Sequence, residues 1–299
     1  MHPRLRTWLQ LLRAPNLFTV AGDPIAGFML ANFGIPTGAM FPVMGASLCF
    51  YGAGLLDNDL ADLAEDRLER PKRPLPSGAA KPAQVLVAML GLSAIGLLLC
   101  ALAGPFSVGV GAGLIVAMGL YNHGSKRVPF IGALNMGLCR SLSLNLGASA
   151  AGAQQVPGEA VVAAITIGLF IAAVTNLARF ETRAASSPRW AKWMPAALIF
   201  AATLAIWNWL PMGTQPASTL GSFALRGLFL GATLSALAIG AGLCGPSPIP
   251  PAIGKFIRLL ILLQAALCAH TGLFGLILAA LLLLLWPLSR AVSKRFYAS

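Results

Sequence analysis

The chain has 299 residues, of which 57% are hydrophobic and only 10% are charged, and its mean hydropathy is +0.78. In soluble globular domains about 25% of residues are charged, so this composition excludes that class of protein. The formal net charge is +12. Basic loops on one side of a membrane explain such an excess, and we expect no nucleic-acid partner.

Apolar runs with almost no charge recur along the chain. They predict membrane-spanning helices, because a helix satisfies its own backbone hydrogen bonds in lipid. The runs lie at 15–33, 38–56, 83–103, 105–121, 129–151, 160–178, 191–211 and 222–244. A last run, 256–288, fits one strongly tilted helix or two short helices broken at His270-Thr271-Gly272. The expected fold is an all-α polytopic bundle of about nine spans, or ten, forming one domain over residues 1–299.

Lysine and arginine residues fall into alternate connections between these spans. They precede span 1 and occur after spans 2, 4 and 6, whereas the connections near 34–37, 104–105, 152–159 and 212–221 contain none. The positive-inside rule makes the basic side cytoplasmic, and the basic tail with Arg290 favours the ten-span alternative. We therefore expect an integral protein of the bacterial cytoplasmic membrane, with its site loops facing the cytoplasm.

The segment 57–69 carries six of the nine acidic residues. Asn58, Asp62 and Asp66 are spaced i, i+4, i+8, so on a helix they follow one face with a drift of about 40° per step. Asp59 lies one position round. Like charges at this spacing destabilise a helix unless a cation neutralises them. Because proteins hold Mg²⁺ with a few carboxylates plus phosphates, the pattern predicts a Mg²⁺-bridged diphosphate; a solvated loop is the alternative.

A proline-rich basic loop follows the acids, with the sequence Arg70-Pro71-Lys72-Arg73-Pro74-Leu75-Pro76-Ser77-Gly78. Its prolines stiffen the backbone, and its cations can pair with phosphate oxygens. Positive-inside topology by itself explains the positive charges of this loop, but it does not explain why a rigid loop lies directly beside the acids.

At these residues the chain resembles the UbiA superfamily of intramembrane prenyltransferases. The family's first signature is an Asn-Asp-x-x-Asp-x-x-x-Asp run followed by an Arg-Pro-x-Pro-Ser-Gly-like loop, and both occur in register at 58–66 and 73–78. The resemblance extends to Arg13-Ala14-Pro15-Asn16 and to Tyr121…Lys126-Arg127, and it covers about residues 10–190. It implies a helical bundle around a central cavity that opens sideways to lipid.

The family's second aspartate-rich motif, which follows span 6, is degenerate in this chain. The segment 175–183 has Glu181 as its only acid and contains no aspartate. Glu181 can contribute to a metal site, and Arg179 or Arg183 can replace a cation at the diphosphate. The other interpretation is that this half-site has decayed. The pattern is similar to a divergent, EboC-like branch of the superfamily.

The resemblance implies Mg²⁺-dependent transfer of an isoprenoid chain from a prenyl diphosphate to a small acceptor, with membrane lipid as the surroundings. The implied catalytic residues are Asp62, Asp66 and Lys126. The implied metal ligands are Asn58, Asp59, Asp62, Asp66 and Glu181. The candidate diphosphate-binding residues are Arg67, Lys72, Arg73, Lys126, Arg127, Arg179 and Arg183. The alternative function is a non-catalytic protein that binds or transports polyprenyl diphosphate or another lipid. A secondary transporter is a third alternative, which the absence of a second acidic or broken-helix site in the other half of the chain disfavours.

Polar residues inside the apolar spans are candidates for acceptor binding, because charge in a membrane is costly. Arg140 and Asn145 lie in span 5, with Arg140 about four turns beyond Lys126. For Arg140, a substrate role and a structural ion pair with Asp23 are both open. Asn16 has the same two alternatives, an acceptor contact or a hydrogen bond to a neighbouring helix.

Overall fold

The computed structural model describes residues 3–152, 156–181, 187–209, 216–245 and 248–293, and no strand occurs among them. The expected all-α architecture is confirmed. In chain order the described helices are α1 (Pro3–Leu11), α2 (Ala14–Val20), α3 (Gly22–Ala31), α4 (Met40–Ala61), α5 (Leu63–Glu69), α6 (Pro82–Ala103), α7 (Pro105–His123), α8 (Ile131–Ser149), α9 (Gly158–Ala178), α10 (Arg189–Trp209), α11 (Pro216–Cys244), α12 (Ile249–His270) and α13 (Leu273–Ser293).

Eight of the described helices are long and apolar enough to cross a membrane: α4, α6, α7 and α9 to α13. The expected first span is instead divided into α2 and α3 at Ala21. Pro24 explains the division, because it has no N–H to donate to the carbonyl of Val20 one turn earlier. Large apolar side chains such as Leu98 and Leu102 are exposed on the outer face of α6. Such a surface suits lipid, and the chain is an integral membrane protein.

The last apolar stretch forms two helices, α12 and α13, which meet at Thr271 and Gly272. Gly272 has a φ of +106°, a conformation that glycine adopts without a steric penalty. At the far end of α13, the Ser289 hydroxyl donates a hydrogen bond of 3.2 Å to the carbonyl of Pro15. The end of α13 therefore lies beside the start of α2, as the ten-span alternative requires.

Helices α3 and α8 cross at very close range through two glycines. A Cβ added to Gly27 would lie 1.9 Å from the carbonyl oxygen of Leu144, and one added to Gly147 would lie 1.9 Å from that of Pro24. Small residues allow this approach, which supplies van der Waals contact in a solvent that offers no hydrophobic driving force between helices. The contact fixes the first span against α8, one wall of the cavity described below.

Two large apolar cores fill the bundle and leave the polar ends of α4, α7 and α9 outside them. One core surrounds α9, α11 and α12, where Phe170 meets Phe256 edge-on with ring centroids 6.4 Å apart. The other lies among α3, α4, α8 and α13. A smaller cluster packs Leu75 and Ala80 of the basic loop against Leu11 and Leu56. This cluster holds the basic loop over the end of α4.

Candidate functional site

Asn58, Asp59, Asp62 and Asp66, which we call the acidic ladder, lie where α4 ends and the short helix α5 begins. Helix α4 ends at Ala61, Asp62 has φ −91° and ψ 1°, and α5 begins at Leu63. Asn58, Asp62 and Glu65 line a cavity of about 520 Å³, whereas Asp59 and Asp66 are not part of its lining. The predicted ladder is therefore divided between two environments.

Lys126 reaches the cavity-facing part of the ladder from the short 3₁₀ turn Ser125–Arg127 after α7. Its ammonium lies 2.5 Å from Oδ1 of Asp62 and 3.4 Å from Oδ1 of Asn58. The Lys126 and Asp62 side chains are only 14% and 20% exposed. A cation placed among these oxygen atoms occupies the kind of position that a metal ion would take.

Asp59 and Asp66 do not line the cavity and pair instead with basic side chains, of which Arg13 and Arg70 do line it. A 3.8 Å ion pair joins Asp59 to Arg13. Asp66 receives a 2.7 Å hydrogen bond from Arg73 and lies 3.9 Å from Arg70. Because the Asp66 side chain is only 5% exposed, both of its oxygens are committed to the basic loop.

Asp57 anchors the end of α7 to α4. Its carboxylate accepts a 2.7 Å hydrogen bond from Asn122, and its other oxygen lies 3.0 Å from Nε2 of His123. Asn122 also donates to the carbonyl of Gly54 at 3.1 Å. These contacts place the chain that carries Lys126 directly over the ladder.

The cavity combines a charged mouth with an interior of mixed polarity. Among the described residues, six cationic side chains and three carboxylates line it: Arg13, Arg70, Lys126, Arg127, Arg140 and Arg179, and Asp62, Glu65 and Glu181. Its walls include the apolar side chains of Leu55, Leu114 and Met118 and the rings of Tyr51 and Tyr121. The cavity could therefore accommodate a ligand with an anionic head and an apolar tail.

The predicted diphosphate-binding residues divide into three groups. Lys126, Arg127 and Arg179 line the cavity. Arg67 and Lys72 are exposed and do not line it, while Arg73 contacts Asp66 instead. Arg183 lies outside the described residues.

Glu181 enters the cavity from the turn that follows α9. Burial raises the pKa of Glu181 above its usual range, and the nearby guanidinium groups of Arg70, Arg13 and Arg73 lower it in part. These cations favour the ionised form, which is the form that binds a metal.

Deep in the bundle, Arg140 forms the structural ion pair that was one of its two alternatives. Its guanidinium lies 3.1 Å from the carboxylate of Asp23, which is fully buried. Arg140 also donates to the carbonyl of Thr19, and Gln264 donates both to that carbonyl at 2.7 Å and to Asp23 at 2.6 Å. The network gives the buried Asp23 carboxylate a cation and joins α8 and α12 to the break between α2 and α3.

The other acceptor candidates do not line the cavity. Asn16 lies near Tyr51, which does line it. The Asn145 side-chain oxygen is buried without a hydrogen-bond partner among the described residues. Ser47 and Ser143, which the sequence did not single out, line the cavity and share a 2.7 Å hydrogen bond.

The side-chain oxygen atoms at the mouth of the cavity suit a hard divalent cation as ligands. In the described part of the chain, no three His, Cys, Asp or Glu side chains converge closely enough to hold a metal by themselves. Mg²⁺ does not need such a cage, because it keeps several waters and binds one or two carboxylates plus substrate phosphates. Asn58 and Asp62 fit this requirement. The Lys126 ammonium lies beside the side-chain oxygens of both residues.

Sequence reasoning missed Glu65 as a member of the cavity lining and gave Arg13 and Arg70 no individual role. For Glu65 the signal was present: at about 100° per residue, position i+7 returns to within about 20° of Asn58. Arg13 belongs to a segment that carries the family resemblance, but its approach to Asp59 depends on how α2 packs against α4.

Comparisons with known proteins agree with the fold and the motifs. The model of the UbiA prenyltransferase family matches residues 23–245. Among curated relatives, the digeranylgeranylglyceryl phosphate synthase of Methanopyrus kandleri is 30% identical over 129 residues, covering 43% of this chain and 47% of the relative. The enzyme of the same name from Natronomonas pharaonis is 28% identical over 177 residues, covering 59% of this chain and 61% of the relative. The chain thus matches about half to three-fifths of the length of these relatives.

Solved structures match a larger share of the chain. A UbiA homologue from Archaeoglobus fulgidus bound to GPP and Mg²⁺ gives a TM-score of 0.66 at 16% identity, covering 89% of this chain and 99% of its own. An apo UbiA homologue from Aeropyrum pernix K1 gives a TM-score of 0.63 at 18% identity, covering 84% of this chain and 96% of its own. At these identities the likeness shows the fold alone. Because the family model spans most of its length, the chain belongs to the UbiA prenyltransferase family.

Proposed function

We propose that this protein transfers an isoprenoid chain from a prenyl diphosphate to a small acceptor within the membrane, in a Mg²⁺-dependent reaction. The observation that carries the proposal is the cavity, which places carboxylates and several cations at one mouth above apolar and aromatic walls. A prenyl diphosphate has the matching division between an anionic head and an apolar tail. The UbiA homologue from Archaeoglobus fulgidus, which shares the fold, binds GPP and Mg²⁺.

Asn58, Asp62 and Glu181 would hold the metal, whereas the predicted ligands Asp59 and Asp66 pair with Arg13 and Arg73. When bound, Mg²⁺ supplies Lewis-acid stabilisation of charge on the diphosphate. Lys126, Arg127 and Arg179 would bind the phosphate oxygens, because charge-assisted hydrogen bonds to phosphate are among the strongest available to side chains. We add Arg13 and Arg70 to the candidate phosphate-binding residues, because both line the cavity.

Departure of the diphosphate leaves an allylic cation on the isoprenoid chain. Tyr51 and Tyr121 line the same cavity, and an aromatic face attracts a cation within about 6 Å of its centroid. The apolar walls exclude water, so the bound acceptor is the nucleophile that reaches this carbon. Phe50 and Phe170, by contrast, are fully buried in the cores.

The acceptor is not defined by these residues. Arg140 is committed to Asp23 and Thr19, so its predicted contact with an acceptor requires that network to rearrange. The relatives named digeranylgeranylglyceryl phosphate synthase make a prenylated glyceryl phosphate the first acceptor class to try. Membership of an EboC-like branch stays a prediction, as do the bacterial cytoplasmic membrane and the cytoplasmic position of the site.

The test is Mg²⁺-dependent release of inorganic diphosphate by the purified protein in lipid, with geranyl diphosphate and longer donors and a panel of acceptors. An Asp62→Asn variant is the matched control. We expect turnover that requires Mg²⁺, an acceptor and Asp62. Absence of turnover with every donor and acceptor would contradict the proposal.

The second candidate is a protein that binds or transports polyprenyl diphosphate without consuming it. The observation that favours it is the second motif, in which Glu181 is the only carboxylate among residues 175–183. It predicts saturable, Mg²⁺-dependent binding with full recovery of the ligand. Measuring binding and turnover on the same sample separates the two candidates.

A further inference from the structure

We propose that Glu65, and not Asp66, supplies the third carboxylate of the first motif to the metal that binds the diphosphate. Asp66 instead holds the basic loop 70–78 in its folded position. This inference rests on the proposed function and assigns different roles to two adjacent acids of the same site.

The helical register places Glu65 on the cavity side. Counting from Asn58 at about 100° per residue, Asp62 lies about 40° round the helix, Glu65 about −20° and Asp66 about 80°. The turn at Asp62 keeps this order, since the amide of Asp66 still donates to the carbonyl of Asp62 at 2.8 Å. In agreement, Asn58, Asp62 and Glu65 line the cavity and Asp66 does not.

The distribution of ion pairs gives an independent indication. Asp57, Asp59, Asp62 and Asp66 each have a basic partner, namely His123, Arg13, Lys126 and Arg73. Glu65 has no salt bridge within 4 Å among the described residues. Its carboxylate is therefore available to a ligand without the loss of an existing contact.

Asp66 has the surroundings of a structural residue. Its carboxylate is 5% exposed and binds Arg73 at 2.7 Å. Its backbone carbonyl accepts from the amide of Arg70 at 2.9 Å, so side chain and backbone together hold the start of the loop. Removing one partner of such a buried pair leaves the other unpaired, and the loop is expected to loosen.

The two roles together explain how the site can work with a degenerate second motif. Glu65 and Asp62 are two cavity-lining carboxylates from the segment of the first motif, whereas the second motif offers only Glu181. Asp66 keeps Arg70, which lines the same cavity, close to the diphosphate position.

The first test measures binding of Mn²⁺, as a spectroscopic substitute for Mg²⁺, to the full chain in lipid nanodiscs by electron paramagnetic resonance. Titrations are made with and without geranyl diphosphate. Glu65→Gln is compared with Glu69→Gln, which changes an exposed acid of the same helix that does not line the cavity. We expect Glu65→Gln to weaken Mn²⁺ binding about tenfold, the lower end of the losses seen when metal-site residues are removed. Glu69→Gln should leave it unchanged.

The second test follows limited trypsin cleavage after Lys72 in Asp66→Asn. This bond is the informative one, because the bonds after Arg70 and Arg73 precede prolines. We expect faster cleavage there in Asp66→Asn than in wild type, and no change in Glu65→Gln. If Asp66→Asn fails to fold, Arg73→Met removes the same ion pair from the other side and should give the same cleavage.

Two results would overturn the inference: equal Mn²⁺ affinity of Glu65→Gln and Glu69→Gln, or loss of Mn²⁺ binding in Asp66→Asn with the loop still protected. The proposed function fails differently. If wild type binds no Mn²⁺ with geranyl diphosphate, the site itself is refuted. If Asp62→Asn weakens binding and Glu65→Gln does not, only the assignment of Glu65 is wrong.

Discussion

The ammonium of Lys126 lies 2.5 Å from the carboxylate of Asp62, although 64 positions separate the two residues in the chain. The contact joins the end of α4 to the turn after α7 and brings a cation and an anion together at the cavity mouth. It neutralises one step of the acidic ladder, which would otherwise repel itself along the helix. The pair also defines where a metal and a diphosphate would meet.

Replacing either member of this pair should impair prenyl transfer for different reasons. Asp62→Asn removes a proposed metal ligand, and Lys126→Met removes a proposed phosphate partner. Loss of one electrostatic contact of this kind costs about 10²–10³-fold in turnover. The measurement is the rate of diphosphate release at saturating donor, with Glu69→Gln as the control. Near wild-type rates in Asp62→Asn would show that the ladder is not catalytic.

Removal of the metal should abolish turnover while leaving the fold intact. Cores of apolar side chains hold the helices together, and the candidate ligands lie at the ends of helices, outside those cores. We expect chelation with EDTA to stop diphosphate release, added Mg²⁺ to restore it, and the thermal midpoint without ligand to change little. Activity that persists in EDTA would exclude a metal requirement.

Breaking the ion pair between Asp23 and Arg140 should destabilise the bundle. Arg140→Leu leaves the fully buried Asp23 carboxylate without its cation, and such a change costs about 3–5 kcal/mol. The double variant Asp23→Leu with Arg140→Leu should recover part of that loss, because no buried charge remains. Thermal unfolding in detergent gives the double-mutant cycle. Equal stability of wild type and Arg140→Leu would contradict the structural role.

The crossing of α3 and α8 should not tolerate a side chain at Gly147. A Cβ there would lie 1.9 Å from the carbonyl oxygen of Pro24, so Gly147→Ala must separate the helices. Overpacking of this kind costs about 1–3 kcal/mol. Gly113→Ala in α7 is the control, since a Cβ there meets nothing within 4 Å, and it should be neutral or stabilising by up to about 1 kcal/mol. The thermal midpoints of the two variants check this difference.

The sequence alone determined the class of protein, the helical bundle and the first motif. Hydropathy decides the class and the bundle because lipid admits only segments that satisfy their own backbone, and this is a local property. The pairing of Arg140 with Asp23 was also within reach as one of two alternatives, since a buried charge needs a partner. The family resemblance could be stated from the residues 58–66 and 73–78 alone.

Tertiary structure decided which partner each acid of the first motif takes. The helical register places Asn58, Asp62 and Glu65 toward the cavity, but nothing in the spacing shows that Asp66 pairs with Arg73 outside it. Lys126 and Arg13 approach Asp62 and Asp59 only because α7 and α2 pack beside α4. Such pairings depend on contacts between residues far apart in the chain, and the spacing of residues within one helix carries no information about them.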